Sequence, residues 1–281
     1  MPVQTLPAGV RVLPDVIYAR TAARPLVLDL YLHENAGQPQ PLIVFVHGGA
    51  FRAGSKKDCA EALKLISSGF AIASIGYRLS QEALFPAQIR DIKAAVRWLR
   101  AHAGEHNLDP NRFGAMGPSA GGHLVAMLGL SARVREWDDA GDHIESADSS
   151  ISSAVQAVVD WFGPTDFLRM NDQPGGMDHD APDSPESQLI GAPIQQNPQL
   201  VARANPITYA TPAAPPFLIC HGDHDPLVLY TQSVMLHQAL QKAGSQATLV
   251  LVPGAGHGFQ GKQYRDMVEK AREFFNRHLR G

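Results

Sequence analysis

Cysteine is scarce in this sequence: Cys59 and Cys220 are the two among 281 residues, and neither belongs to a CxxC pair. Two isolated thiols cannot staple a disulfide scaffold, so both are expected as buried free side chains. An excess of charge of one sign is missing too. Lysine and arginine total 24 against 27 aspartates and glutamates, for a net charge of −3 with no basic stripe. That balance disfavours a nucleic-acid surface or a polybasic membrane patch. No apolar run reaches the roughly 18 residues that a bilayer span needs. The opening stretch MPVQTLPAGVRVLPDV is broken by proline and has no continuous apolar segment, so no signal peptide is expected. A cytoplasmic location follows as the expectation. Repeats and low-complexity tracts are absent. What is present is a 44% hydrophobic, 18% charged composition, which supplies a sizeable core and argues against disorder.

The apolar residues alternate between two periods. DVIYA (15–19) and PLVLDLYL (25–32) read as a hairpin-like pair of strands. LIVFV (42–46), AIASIGY (71–77), RFGAM (112–116), AVQAVVDWF (154–162), FLICH (217–221) and ATLVLV (247–252) are strand-like, several of them continuous apolar runs of the kind a parallel sheet buries. Between them lie helical patterns. After Pro86, placed in a first turn, Ile89, Ile92, Val96 and Leu99 recur at spacings of three and four. Further helices are expected around 59–67, 120–131, 229–243 and 262–279, the last with an apolar stripe from Tyr264 to Leu279. Strands alternating with amphipathic helices imply an α/β fold with a mostly parallel sheet. Residues 133–150 and 171–187 break the rhythm: both are polar, acidic and loop-like, and so are candidate lid elements. Asp178, His179, Asp180 and Asp183 in the second could suggest a metal, but the carboxylates are expected to be solvated and His179 to be an ordinary surface or core histidine.

The strongest chemical signal is Gly117-Pro118-Ser119-Ala120-Gly121, a G-x-S-x-G pattern between a strand and a helix. Small residues two before and two after the serine let a strained turn close, so that its hydroxyl projects at the sheet's carboxyl edge. The second signal is His47-Gly48-Gly49-Ala50-Phe51, after a buried strand. Glycines there let backbone amides approach a developing oxyanion, which needs two or three convergent N–H donors. Gly49, Ala50 and Ala120 are the assigned donors; His47 reads as a loop anchor. A base and its orienting acid are expected later in the chain. Among 12 histidines, His257, between Gly256 and Gly258 after a strand, is the best base. Asp225 in HGDHD (221–225) is the orienter, and Asp223 is its rival, or else a brace for the turn.

These segments, with YRL (77–79), FPAQIRDIKAAVRWLR (85–100), FGPTD (162–166) and GHGF (256–259), resemble the α/β-hydrolase superfamily. Within it the chain is similar to hormone-sensitive-lipase-like esterases, and most similar to bacterial carboxylesterases related to feruloyl and acetyl-xylan esterases. The resemblance implies an α/β-hydrolase fold, a single domain over residues 1–281 and a loop-type minimal lid. It carries the nucleophile onto Ser119, the acid onto Asp225, the base onto His257 and the oxyanion amides onto Gly49, Ala50 and Ala120. It departs from the lipase-like pattern at Ala50 and Pro118, and no large N-terminal cap is expected, since strand patterns begin almost at once. Asp91 is expected to be structural, anchoring a neighbouring arginine.

The expected activity is hydrolysis of short-chain acyl esters through an acyl-enzyme, with no cofactor and no metal. The expected partner is a small-molecule ester; neither nucleic acid nor a membrane is. An arylformamidase or small peptidase on the same machinery is the alternative, and a non-catalytic binding module is the third reading.

Overall fold

The computed structural model describes residues 6–138, 143–172 and 176–280. Its strands are β1 (Val10–Thr21), β2 (Pro25–His33), β3 (Gln40–Val46), β4 (Ala71–Ile75), β5 (Leu108–Pro118), β6 (His143–Ser146), β7 (Ala157–Trp161), β8 (Phe217–Gly222) and β9 (Ala247–Val252). They form one nine-stranded sheet in the order β6-β1-β2-β4-β3-β5-β7-β8-β9. The hairpin expected of the first two strands is present, antiparallel, and β2 meets β4 antiparallel as well. From β4 to β9 every pairing is parallel, with Ile43 beside Ile72 and Met116 beside Val159.

The helices are α1 (Ala60–Ile66), α2 (Ala87–Ala101), α3 (Ala120–Leu130), α4 (Pro185–Ile190), α5 (Pro198–Ala204), α6 (Thr231–Lys242) and α7 (Gly261–Leu279). The pleat of β3 divides the core in two. Leu42, Val44 and Val46 pack with Ile89, Ile92, Val96 and Leu99 of α2, with α3 and with Leu236 and Leu240 of α6. Ile43 and Phe45 point the other way, into a cluster with Leu65 and Ile66 of α1 and Met267, Ala271, Phe275 and Leu279 of α7. A strand covered on both faces must be apolar at every position, which is why the run is continuous and not alternating. Each fully buried Leu, Ile or Phe contributes about 1.5–3 kcal/mol, so the two helical layers are what keep the sheet together. The arrangement is the α/β-hydrolase fold. No helix among the described residues is long and apolar enough to cross a membrane.

Three details differ from the sequence reading. Pro86 stands at the N-cap of α2, one position ahead of the first turn. The described part of 133–150 is not a cover. Trp137 is buried, edge-on to Phe85 and Tyr209 at 5.6 and 5.1 Å, and Asp138 lies 2.8 Å from the buried Lys93 ammonium of α2. Beyond it β6 pairs with β1 at the outer edge of the sheet. The segment looks polar, yet its aromatic and one of its carboxylates satisfy buried partners; residues 139–142 lie outside the described residues. The segment 171–187 is not wholly loop either. Ser184 Oγ accepts from the Ser187 amide at 3.1 Å and Pro185 opens α4, which Gly191 closes at φ 76°. Residues 173–175 lie outside the described residues.

Candidate active site

Parallel strands deliver their carboxyl ends to one edge, and the chemistry-bearing loops gather there. In sheet order, β3 leads into the Gly48–Phe51 loop, β5 into Ser119, β7 into Phe162, β8 into Asp225 and β9 into His257.

Ser119 sits between β5 and α3 at φ 54°, ψ −125°, a conformation that costs a non-glycine residue about 1–3 kcal/mol and needs support. Its amide donates to the Trp161 carbonyl at 2.8 Å, pinning the turn to β7. The glycine requirement is steric. A Cβ on Gly121 would stand 2.1 Å from the Val46 carbonyl oxygen, and one on Gly117 2.5 Å from the Gly121 backbone. Only hydrogen fits at either place, so α3 approaches β3 closely enough to present the serine at a helix N-terminus.

Ser119 Oγ lies 3.0 Å from His257 Nε2, and His257 Nδ1 lies 2.7 Å from Asp225 Oδ2. Asp225 Oδ1 accepts from the Leu227 and Val228 amides at 2.9 and 3.0 Å. Burial works to raise the Asp225 pKa, but hydrogen bonds from the His221 and His257 rings hold it far below the usual carboxylate value. Asp223 faces elsewhere: it meets His224 Nδ1 at 2.6 Å and takes the Gly254 amide at 2.7 Å, bracing the turn.

The loop after β3 is strained, with Gly49 at φ 114°, Ala50 at 53° and Phe51 at 62°. Among the described residues no acceptor takes the amide hydrogens of Gly49 or Ala50. Ala120, the first residue of α3, has an amide with no partner inside its helix. All three residues line the cavity that holds Ser119. His47 is buried, stacked on Tyr77 at 4.4 Å, and its backbone carbonyl accepts from Tyr77 Oη at 3.0 Å. Burial lowers its pKa. Asp91 grips Arg78 of the YRL segment, 2.6 Å from its guanidinium and 2.9 Å from its amide, with both residues buried.

The cavity has a volume of about 460 Å³ and is bounded by Ala50, Phe162, Met177, His179, Glu186 and His257, among others. One wall comes from the 176–187 segment; no described residue of 133–150 reaches it. Four residues near the site are given no functional role in the sequence reading. Phe162, at φ 45°, sets its ring edge-on to His257 at 4.9 Å. His221 is wholly buried: Nε2 lies 2.7 Å from the Val228 carbonyl and 3.1 Å from Asp225 Oδ2, while Nδ1 lies 2.7 Å from Ser233 Oγ. Two acceptors at Nε2 fix the proton there, and the Ser233 hydroxyl donates to Nδ1. His179 and Glu186 form a buried pair at 2.9 Å. FGPTD and HGDHD held the first two in plain view, but nothing in the sequence separated Phe162 or His221 from ordinary core residues.

With that geometry in hand, likeness to known proteins is informative. The sequence profile of the family described as BD-FAE matches residues 28–240. Esterase LipC of Mycobacterium tuberculosis is 32% identical over 92% of this chain and 60% of its own length. Esterase LipQ of the same organism is 31% identical over 87% of this chain and 56% of its own. The chain thus spans under two thirds of the length of these relatives. Among solved structures, a truncated carbohydrate esterase from gut microbiota superposes with a TM-score of 0.83 at 34% identity, covering 96% of this chain and 97% of that one. The propionate-bound esterase Est2 of Thermogutta terrifontis gives 0.75 at 25% identity, covering 96% and 94%.

Proposed function

The chain belongs to the BD-FAE family, and on that footing we propose that it is a carboxylester hydrolase in which Ser119, His257 and Asp225 act together on short-chain acyl esters. One observation carries the reading: an unbroken path from Ser119 Oγ through His257 to Asp225, at 3.0 and 2.7 Å, beside a cavity large enough for a small ester. Asp225 Oδ2 accepts a hydrogen bond from Nδ1–H, which leaves Nε2 with a lone pair toward the proton of the serine hydroxyl. His257 accepts that proton as Ser119 attacks the ester carbonyl. The amides of Gly49, Ala50 and Ala120 receive the negative oxygen of the tetrahedral intermediate. The imidazolium, stabilised by Asp225, then protonates the leaving alcohol. Water, deprotonated by the same ring, releases the acid from the acyl-enzyme.

Two observations support a short acyl group. The cavity wall carries a buried ion pair, His179 and Glu186, beside which a long methylene chain would strand charge in an apolar setting. The Est2 structures hold propionate and butyrate. The likeness to the gut carbohydrate esterase makes acylated sugars the first esters to try. A 4-nitrophenyl ester series from C2 to C12 tests the reading, together with labelling of Ser119 by a fluorophosphonate. Turnover is expected to peak at C2–C4. Equal rates on C10–C12 esters would defeat the short-chain assignment, and labelling that persists in Ser119→Ala would defeat the nucleophile.

A further inference from the structure

The acid-bearing loop holds more imidazole than the reaction uses. His221 donates to the Val228 carbonyl, and one residue earlier His179 Nε2 stands 2.9 Å from the Leu227 carbonyl oxygen. On the opposite side of its ring, His179 Nδ1 stands 2.9 Å from Glu186 Oε2 on α4. A carbonyl oxygen and a carboxylate both accept and neither donates, so each ring nitrogen must present a hydrogen. The ring is nearly fully buried, and its backbone amide is fixed to Asn171 Oδ1 at 3.1 Å.

We propose that His179, as a doubly protonated imidazolium, is a positioning residue that fastens the cavity wall of 176–187 to the loop carrying Asp225. The neutral ring cannot do this. With one hydrogen left, the better place for it is Nδ1, facing the Glu186 carboxylate. The Nε2 lone pair then confronts the Leu227 carbonyl oxygen across 2.9 Å, which is repulsive. Leu227 is not a remote residue: its amide seats Asp225 Oδ1 at 2.9 Å. Releasing its carbonyl therefore loosens both the wall over Ser119 and the seat of the acid.

The surroundings favour the charged ring. Burial works against it, but the hydrogen bond and charge of Glu186, the Leu227 carbonyl and the charge of Asp180 outweigh burial and raise its pKa. The charges acting on it, Glu186 from α4 and Asp180 from the adjoining turn, are both negative; from the acid loop it meets the carbonyl dipole. A group with a raised folded-state pKa contributes its stabilisation below the unfolded value and loses it as pH rises through the folded one. The clamp therefore loosens as pH rises through the folded-state value, and the two acceptors that face the ring nitrogens are what call for the charged form.

This role rests on ester hydrolysis at Ser119 only for its kinetic readout. Two measurements test it. In full-length protein labelled with ¹⁵N-histidine, the His179 ring, identified by its loss in His179→Gln, should show both nitrogens protonated at pH 7. In Glu186→Gln the side-chain amide donates to Nδ1 and the neutral ring keeps its Nε2 hydrogen on Leu227, so the clamp no longer depends on pH. KM for 4-nitrophenyl acetate should rise severalfold on the alkaline side in the wild type and stay flat in Glu186→Gln. A singly protonated His179 at pH 7, or an alkaline rise in KM unchanged by Glu186→Gln, would overturn the proposal. An absence of esterase activity would overturn the functional reading alone, since the NMR measurement decides the clamp without it.

Discussion

Asp225→Asn replaces a carboxylate that accepts at both oxygens with an amide that accepts at one. In the structure Oδ1 takes two backbone amides, from Leu227 and Val228, and Oδ2 takes His257 Nδ1 and His221 Nε2. The asparagine oxygen will occupy the Oδ1 position, because two N–H groups of the loop demand an acceptor there. Its NH₂ then faces His257 and His221. Toward His221 it opposes another N–H, but that hydrogen keeps the Val228 carbonyl at 2.7 Å. Toward His257 it donates to Nδ1, which moves the ring hydrogen to Nε2 and points it at Ser119. A base with its lone pair on the wrong nitrogen cannot accept the serine proton. The analogous change in a known triad costs about 10⁴ in kcat, or about 5.4 kcal/mol of barrier. Stability shifts as well. The depressed Asp225 pKa contributes stability above the unfolded carboxylate value of about 3.9, lost as pH falls through the folded one. The variant should therefore lose stability at pH 7 and show a flatter acid limb. The assay is kcat on 4-nitrophenyl acetate at pH 7–8, with circular dichroism and urea unfolding to show that the fold survives. A folded Asp225→Asn protein retaining a tenth of wild-type kcat would refute the reasoning, and so would a comparable loss in Asp223→Asn, whose side chain only braces a turn.

Ser119→Ala should lower kcat by several orders of magnitude with a near-native urea midpoint, checked on the same ester. Gly121→Ala should destabilise the fold by about 1–3 kcal/mol or more, read from urea unfolding, because its Cβ would sit 2.1 Å from the Val46 carbonyl oxygen, a backbone atom that cannot swing away. Asp160 is fully buried, takes the Gly163 amide at 2.9 Å on Oδ1 and has no partner on Oδ2 among the described residues, and burial pushes its pKa up to about 7. Between the unfolded carboxylate value near 4 and about 7 the folded chain holds a proton that the unfolded chain has lost, so stability should fall as pH rises across that window. Asp160→Asn should flatten the fall, measured as unfolding free energy against pH.

The legible parts of the site share a geometric reason. Ser119, Asp225 and His257 each follow directly on a strand with a clear apolar run, so locating the strand locates the residue, and parallel strands bring such loops to one edge. Gly49 and Ala50 are found by the same logic after β3. The helix α4 was legible in principle: Ser184-Pro185-Glu186 is a capped start and Gly191 a left-handed stop, but a length of six residues hides its period among acidic neighbours. Trp137 and Asp138 misled for the opposite reason. An acidic stretch reads as solvated unless the buried cation it serves is known, and Lys93 sits on α2, inside a stripe that otherwise reads as wholly apolar.

His179 marks where local reading stops. In sequence it stands between two aspartates in a proline- and glycine-rich stretch, the context of a solvated loop or, less plainly, of a metal. Its partners are Glu186, seven residues on, and the carbonyl of Leu227, 48 residues on. A backbone carbonyl has no sequence signature, since every residue carries one. The same holds for His221, whose proton position is fixed by the Val228 carbonyl and the Ser233 hydroxyl. Side chains that do chemistry announce themselves through residue type and strand-end position. Those that hold them in place are distinguished by which backbone oxygen they reach, and that is settled by the packing of α4 and the acid loop against each other. Two neighbouring carbonyls, Leu227 and Val228, each take an imidazole N–H, while their own amides both go to Asp225. Both residues are therefore tied through amide and carbonyl alike, and the peptide unit between them is held on both sides. That leaves Asp225 little freedom to follow His257, so in the proposed hydrolysis any movement between serine and leaving group falls to the ring.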